Sequence, residues 1–264
     1  SLPSQIQFNM KVIAFYLLTF TFSLNCVAQP AQLDVIAAME RANNRFIQKY
    51  PDPGEPTFVK KERPSNLWTR GVYFEGLMEL VKVECQTGRE MYETYRSYIN
   101  NWGEAHEWTP RNGVTTRDAD DYCCGQAYLD MGHAGPTGQC MDHLIACRNV
   151  PQTQGNGSSE GSFGDWTWID AIQMGLPVLT KMSRMQRLRG DADWARYAEQ
   201  GWQMYRASRD SIAGGLFNRK HGLRWRDKDF VPPFTTPNGK QCYWSRGNGW
   251  VYAALVRAME TLPH

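Results

Sequence analysis

The chain has 264 residues, 42% of them hydrophobic, and a formal net charge of +2. That length supports one large domain with a substantial core. The near-neutral balance excludes an ordinary nucleic-acid binder: no basic stripe is present, and the basic run over Arg184–Arg189 alternates with apolar residues as a solvated helix face does.

The amino terminus reads as a signal peptide. Met10-Lys11 opens a short charged region, an apolar run follows from Val12 to Leu24, and Cys26-Val27-Ala28 offers small residues for cleavage after Ala28. The run is too short for a comfortable membrane span, so no stable membrane insertion is expected after cleavage. Cys26 is a weak candidate for a lipid anchor. The predicted organisation is residues 1–28 as upstream residues and signal peptide, then one domain over 29–264. Export to the periplasm or the extracellular space follows. Six cysteines remain in that domain, and an oxidising compartment leaves both disulfides and buried thiols open.

Helices separated by loops rich in Gly, Pro and Asn then recur along the chain. The first covers Asp34–Tyr50 and ends at Pro51-Asp52-Pro53-Gly54. Others cover Trp68–Glu84 and Arg89–Glu104, then Asp118–Met131 with Thr116 and Asp118 as caps, and a short one Gly138–Arg148. After a polar loop come Trp166–Arg187 and Asp191–Arg209. An irregular stretch, Gly214–Tyr243, holds a short hairpin around Leu216–Trp225, and Arg246–Thr261 is the eighth helix. Eight helices with almost no sheet suit an all-α bundle or toroid.

Four segments carry chemistry. In Trp166-Thr167-Trp168-Ile169-Asp170-Ala171-Ile172-Gln173-Met174, an acid sits among large apolar residues. Desolvation there would raise its pKa and suit it to general-acid work; a helix cap or an Arg partner is the structural alternative. Asp118, Asp120 and Asp121 crowd a helix start, where the dipole favours negative charge. The functional reading is a second carboxylate opposite the first. Tyr243-Trp244-Ser245-Arg246-Gly247-Asn248-Gly249-Trp250 places a Gly-rich turn between two Trp. Its glycines admit a ligand close to the backbone, and Arg246 has a fork of donors for a carboxylate. His221 to Phe230 mixes charges with Trp225 in the irregular stretch, as a binding loop or a solvated hairpin does. His133, Cys140, His143 and Cys147 lack a strong zinc spacing and read as ordinary packing.

Together these segments resemble the unsaturated uronyl hydrolases of glycoside hydrolase families 88 and 105, with family 105 the nearer match. The carrying residues are Trp68-Thr69-Arg70-Gly71-Val72-Tyr73, Asp120-Asp121 with Gly125-Gln126, Trp168-Ile169-Asp170-Ala171 with Met174 and Pro177, and Trp244 through Trp250. The resemblance implies an (α/α)6 barrel, a six-hairpin toroid. Twelve helices are expected and eight are counted, so the barrel is expected to be incomplete at the C-terminus and poorly active in isolation.

The resemblance also implies a reaction. The enzyme hydrates the C4=C5 bond of a terminal unsaturated uronic sugar on an oligosaccharide, and the hemiketal opens to release it. Asp170 matches the acid/base. Asp120 or Asp121 matches the second acid, with Asp121 favoured. Trp244 and Arg246 match substrate contacts, and Trp250, Trp168, His221, Arg226 and Trp68 are further candidates. No metal or organic cofactor is implied. The leading substrate is an unsaturated galacturonyl-rhamnose unit of pectin. Alternatives are an unsaturated glucuronyl unit of ulvan or glycosaminoglycans, a non-catalytic sugar-binding domain, and a metal-bound structural domain around Cys140–Cys147.

Overall fold

A computed structural model describes residues 32–152 and 161–263. The signal-peptide and lipid-anchor expectations fall on residues outside these. The chain divides after Lys49 into two compact units. In the first, α1 covers Gln32–Lys49. The second holds everything that follows, and its elements are mostly helical.

A small antiparallel hairpin, β1 (Thr57–Val59) and β2 (Lys61–Arg63), opens the second unit. No strand is expected there from the residue pattern. Next come α2 (Trp68–Thr87) and α3 (Tyr92–Ala105). They pack on each other through Phe74, whose ring stacks on Trp102 with centroids 3.7 Å apart. The predicted helix over Asp118–Met131 is two pieces, α4 (Ala119–Tyr122) and α5 (Gly125–Asp130), interrupted at Cys123-Cys124. Its caps are as read from the sequence: Asp118 Oδ1 accepts from the Asp120 amide at 3.0 Å, and Thr116 Oγ1 accepts from the Asp118 amide. Helix α6 covers Gly135–Ala146.

Helix α7 (Asp170–Leu188) is the centre of the core. Every residue from Asp170 to Thr180 is buried, which is how a helix apolar on all sides behaves. It packs against α4 and α5, against α8 (Ala195–Asp210), and against α9 (Ser245–Thr261). Beneath the site, buried Glu75 of α2 pairs with Arg257 of α9 and accepts from Gln173 of α7 at 3.1 and 3.2 Å. Burial pushes the Glu75 carboxyl up despite this, with Arg257 opposing. Such a network fixes the mutual register of the three helices, since breaking one partner would leave a buried charge alone.

The predicted start of α7 at Trp166 is four residues early. Residues 166–169 are extended or turned. Trp166 Nε1 donates to the Tyr122 hydroxyl at 2.9 Å, and the Trp166 ring lies so close to Gly175 that a Cβ there would come within 2.5 Å of it. The preceding loop is tied by a buried bidentate pair: Arg117 Nε and Nη2 each donate to Asp165 at 2.7 Å, and Nη1 donates to the Val150 carbonyl. A second hairpin, β3 (Phe217–Asn218) with β4 (Leu223–Arg224), stands where the sequence pattern predicts one. All six described cysteines are free thiols.

Candidate active site

Two short backbone contacts build the site. Trp168 bridges Asp227 in antiparallel fashion, and the Ile169 amide donates to the Arg226 carbonyl at 2.9 Å. They lay the segment after β4 along the entrance to α7, so Arg226 arrives beside Asp170. Asn248 of α9 completes the arrangement. Its Oδ1 accepts from the Arg224 amide at 2.8 Å, and its Nδ2 donates to the Arg224 and Trp244 carbonyls at 3.0 Å each. One side chain thus clamps the loop to the start of α9. Sequence reasoning gives Asn248 no role; its place between two glycines is the available signal.

Asp170 is the first residue of α7 and 8% exposed. Its Oδ1 is enclosed and has no hydrogen-bond partner among the described residues. Burial pushes the carboxyl up to about 6, and the guanidinium groups of Arg246 and Arg226 pull in the other direction. A helix N-terminus would by itself hold a carboxylate down; here desolvation wins. The desolvation expected from the sequence is therefore present, and among the described residues Asp170 neither caps its helix nor lies in ion-pair range of an arginine.

The sequence leaves Asp120 and Asp121 as candidates for the second acid, with Asp121 favoured, and the structure gives the two carboxyls different surroundings. Asp121 is buried, and its carboxylate accepts from Arg111 at 2.7 Å, Asn112 at 2.8 Å and Thr116 at 2.9 Å. A carboxylate so satisfied holds its own loop together. Asp120, the preceding residue, points elsewhere on the helix. Burial and then the charges of Asp118, Asp121 and Asp170 push it up to about 7, with Arg111 opposing. Asp120 is thus the carboxyl that feels Asp170.

Trp244 precedes α9, and Arg246 lies in its first turn. The Arg246 guanidinium sits 4.1 Å and that of Arg226 5.3 Å from the Trp244 ring. Both arginines are exposed. Among the described residues Arg246 has no carboxylate in ion-pair range, whereas Arg226 Nε lies 3.3 Å from Asp227. A cation is unfavourable in a helix's first turn, so Arg246 is not there to stabilise α9. Two guanidiniums on one indole beside a carboxyl of raised proton affinity have the chemistry to receive an anionic, partly apolar ring.

The remaining candidates divide. Trp168, Trp250 and Trp68 are half-buried against the core, and Trp250 Nε1 is enclosed without a partner. His221 is exposed in the β3–β4 turn; its Nδ1 lies 2.9 Å from the Tyr243 hydroxyl, and no interaction joins it to Asp170. Tyr243 in turn stacks on Trp225, which is buried at 9% exposure. His133, Cys140, His143 and Cys147 do not converge: His133 stacks on Trp108, and only Cys147 and His143 approach, at 3.5 Å. Two cavities, of about 330 and 360 Å³, flank Asp130 and exclude Asp170. The first borders the far end of α7, whose 19 residues span about 28 Å at 1.5 Å each, so it is no part of this site.

The second unit is thus a helical core that carries a desolvated carboxyl at a helix start, with arginine and tryptophan around it. The chain belongs to glycosyl hydrolase family 88, whose model matches residues 38–264. Two curated relatives are named unsaturated 3S-rhamnoglycuronyl hydrolase. The protein from Alteromonas sp. (strain LOR) is 31% identical over 55% of this chain and 36% of its own length. That from Formosa agariphila is 24% identical over 75% of this chain and 51% of its own. The chain therefore matches about half or less of the length of these relatives. A solved glycosyl hydrolase family 88 structure from Bacteroides vulgatus superposes with a TM-score of 0.65 at 24% identity, covering 88% of this chain and 61% of that one. A structure described as a polysaccharide lyase superposes equally well, with a TM-score of 0.66 at 22% identity and the same coverage. The fold is the six-hairpin glycosidase fold.

Proposed function

We propose that the protein removes a terminal unsaturated uronic sugar from an oligosaccharide by hydrating its C4=C5 bond. The observation that carries this reading is Asp170: a buried carboxyl with one sealed oxygen, pushed up to about 6, within the electrostatic reach of two guanidinium groups. Protonated, it donates to C4. Water then attacks C5, and its proton returns to Asp170, so the same group acts as acid and then as base. The hemiketal at C5 opens and the sugar leaves. Arg246 and Arg226 hold the uronate carboxylate, and the Trp244 face takes the ring. Asp120, pushed up to about 7 and so about half protonated near neutrality, donates to a sugar hydroxyl.

The names of both curated relatives move the preferred substrate from the galacturonyl-rhamnose unit of pectin to an unsaturated 3S-rhamnoglycuronyl unit, for which the ulvan alternative is the one to test first. Export to the periplasm or beyond the cell belongs to the same reading and rests on residues 10–28. Among the described residues no helix is long and apolar enough to cross a membrane.

The test follows the ultraviolet absorbance of the conjugated uronate in lyase-digested ulvan and in lyase-digested rhamnogalacturonan. Absorbance should fall with wild type and persist with Asp170→Asn, faster on the first substrate. Faster loss on the second restores the galacturonyl reading. A rise in absorbance on intact polysaccharide would mark elimination, the chemistry for which the second structural neighbour is named, and would sink hydration.

A further inference from the structure

Both glycines of Arg246-Gly247-Asn248-Gly249 lie in the first turns of α9, where glycine costs a helix ~1 kcal/mol relative to alanine. Their surroundings differ. A Cβ on Gly249 would meet nothing within 4 Å. A Cβ on Gly247 would stand 2.7 and 2.9 Å from Ile169 Cδ1 and Cγ1, and 3.0 Å from Asp170 Oδ1. The buried Gly247 backbone is thus the surface that closes over the enclosed oxygen of the acid. A glycine expected to admit a ligand admits Asp170 instead.

We infer that Gly247 is a positioning residue for the acid: its missing side chain lets α9 seal Asp170 Oδ1 against Ile169, so the carboxyl is kept dry on one oxygen and presents the other to substrate. The reasoning is steric first. With the seam closed, Oδ1 lies beside the Gly247 backbone, is enclosed, and has no hydrogen-bond partner among the described residues, a setting that penalises the charged form. The charged groups that face Asp170 are Arg246 on α9, Arg226 after β4, and Asp120 on α4. The arginines favour ionisation, and Asp120 when ionised opposes it, so the closed seam decides whether the proton stays. A methyl at Gly247 must turn the carboxyl outward or lift the start of α9; either admits water to Oδ1. Lifting also withdraws Arg246, but burial outranks Arg246 among the influences on this group, so the net effect is a stronger acid. The catalytic meaning of this rests on the proposed hydration; the titration itself does not.

The test compares wild type, Gly247→Ala, Ile169→Ala and Gly249→Ala by carbon-13 NMR titration of the Asp170 carboxyl. In Gly247→Ala the midpoint should fall from about 6 by about one pH unit. Ile169→Ala opens the same seam without adding an atom and should move it the same way, which keeps the idea testable if the first variant folds poorly. Gly249→Ala raises helix propensity equally and should leave the midpoint in place. Unchanged midpoints in both seam variants, or an equal shift in Gly249→Ala, would overturn the inference. Turnover adds a second reading, because only protonated Asp170 reacts. A midpoint one unit lower means a loss of about tenfold near pH 7 but only about twofold near pH 5. A merely structural defect would cost the same factor at both, which also counts against the inference. If wild type fails to consume any unsaturated uronide while the midpoints shift as expected, the proposed function fails and the role of Gly247 in holding the proton stands.

Discussion

Replacing Asp170 with Asn should cost activity and yet, above neutral pH, help the fold. The magnitude comes from the environment of the carboxyl. Its ordinary value is 3.8 and burial raises it to about 6. Those two pH units, at ~1.4 kcal/mol each, mean that ionising Asp170 costs the folded state about 3 kcal/mol. The folded protein holds the proton more tightly than the unfolded chain does. Between about pH 4 and about pH 6 the unfolded chain therefore releases a proton that the folded one keeps, and stability falls with rising pH; above the folded value the loss is complete. Asn never ionises. It does place either an amide nitrogen or oxygen in the sealed position, a cost of ~1–3 kcal/mol that does not depend on pH. The observable is thus a difference that changes with pH: from about pH 4 to about pH 7 the variant should gain about 3 kcal/mol on wild type. Asp120 titrates in the same window, and because Asp170→Asn removes one of the charges that raise it, its contribution adds to the variant's gain in the same direction. Urea unfolding of the two proteins at a series of pH values measures this directly, provided the slopes agree. A difference that stays constant with pH, or grows in favour of wild type, would refute the claim that Asp170 is desolvated.

Other substitutions separate chemistry from scaffolding. Asp121→Asn should destabilise the protein by ~2–3 kcal/mol, because Arg111, Asn112 and Thr116 lose a charged acceptor; Asp120→Asn should leave the denaturation midpoint almost unmoved and lower turnover. That contrast is to be read at acid pH: toward pH 7 Asp120→Asn should itself gain stability on wild type, because its carboxyl too is raised, to about 7. Loss of turnover in Asp121→Asn but not in Asp120→Asn would return the second-acid role to Asp121. Arg117→Ala should cost ~3–5 kcal/mol by stranding buried Asp165, read as a fall in melting temperature. Asn248→Ala should release the Arg224 backbone from α9, lowering turnover and raising KM as Arg226 loses its place. If KM holds while turnover falls, the clamp does not position the arginine.

How much of this was legible in the residue order depends on the range of the interactions. Helix content is local: apolar spacing, Pro51 and Pro53 as stops, and Asp118 as a cap are set by near neighbours, and the helices stand close to where those signals put them. The desolvation of Asp170 was also readable, because Trp166, Ile169, Ile172 and Met174 surround it in sequence as well as in space. The choice between Asp120 and Asp121 was not. Successive side chains on a helix differ by about 100° in direction, so one residue of register decides which carboxyl joins Arg111 and which feels Asp170. The start of α7 was misplaced for a similar reason: Trp166 and Trp168 fit a helical apolar pattern, but Tyr122 and Asp227, each more than forty residues away, hold them in extended backbone. Arg226 and Arg246 meet on Trp244 only because Asn248 ties two loops that no local rule joins. Composition and spacing determined which residues were available for the chemistry; packing between distant segments decided which carboxyl keeps a proton, because desolvation is a property of what surrounds a group and not of the group itself.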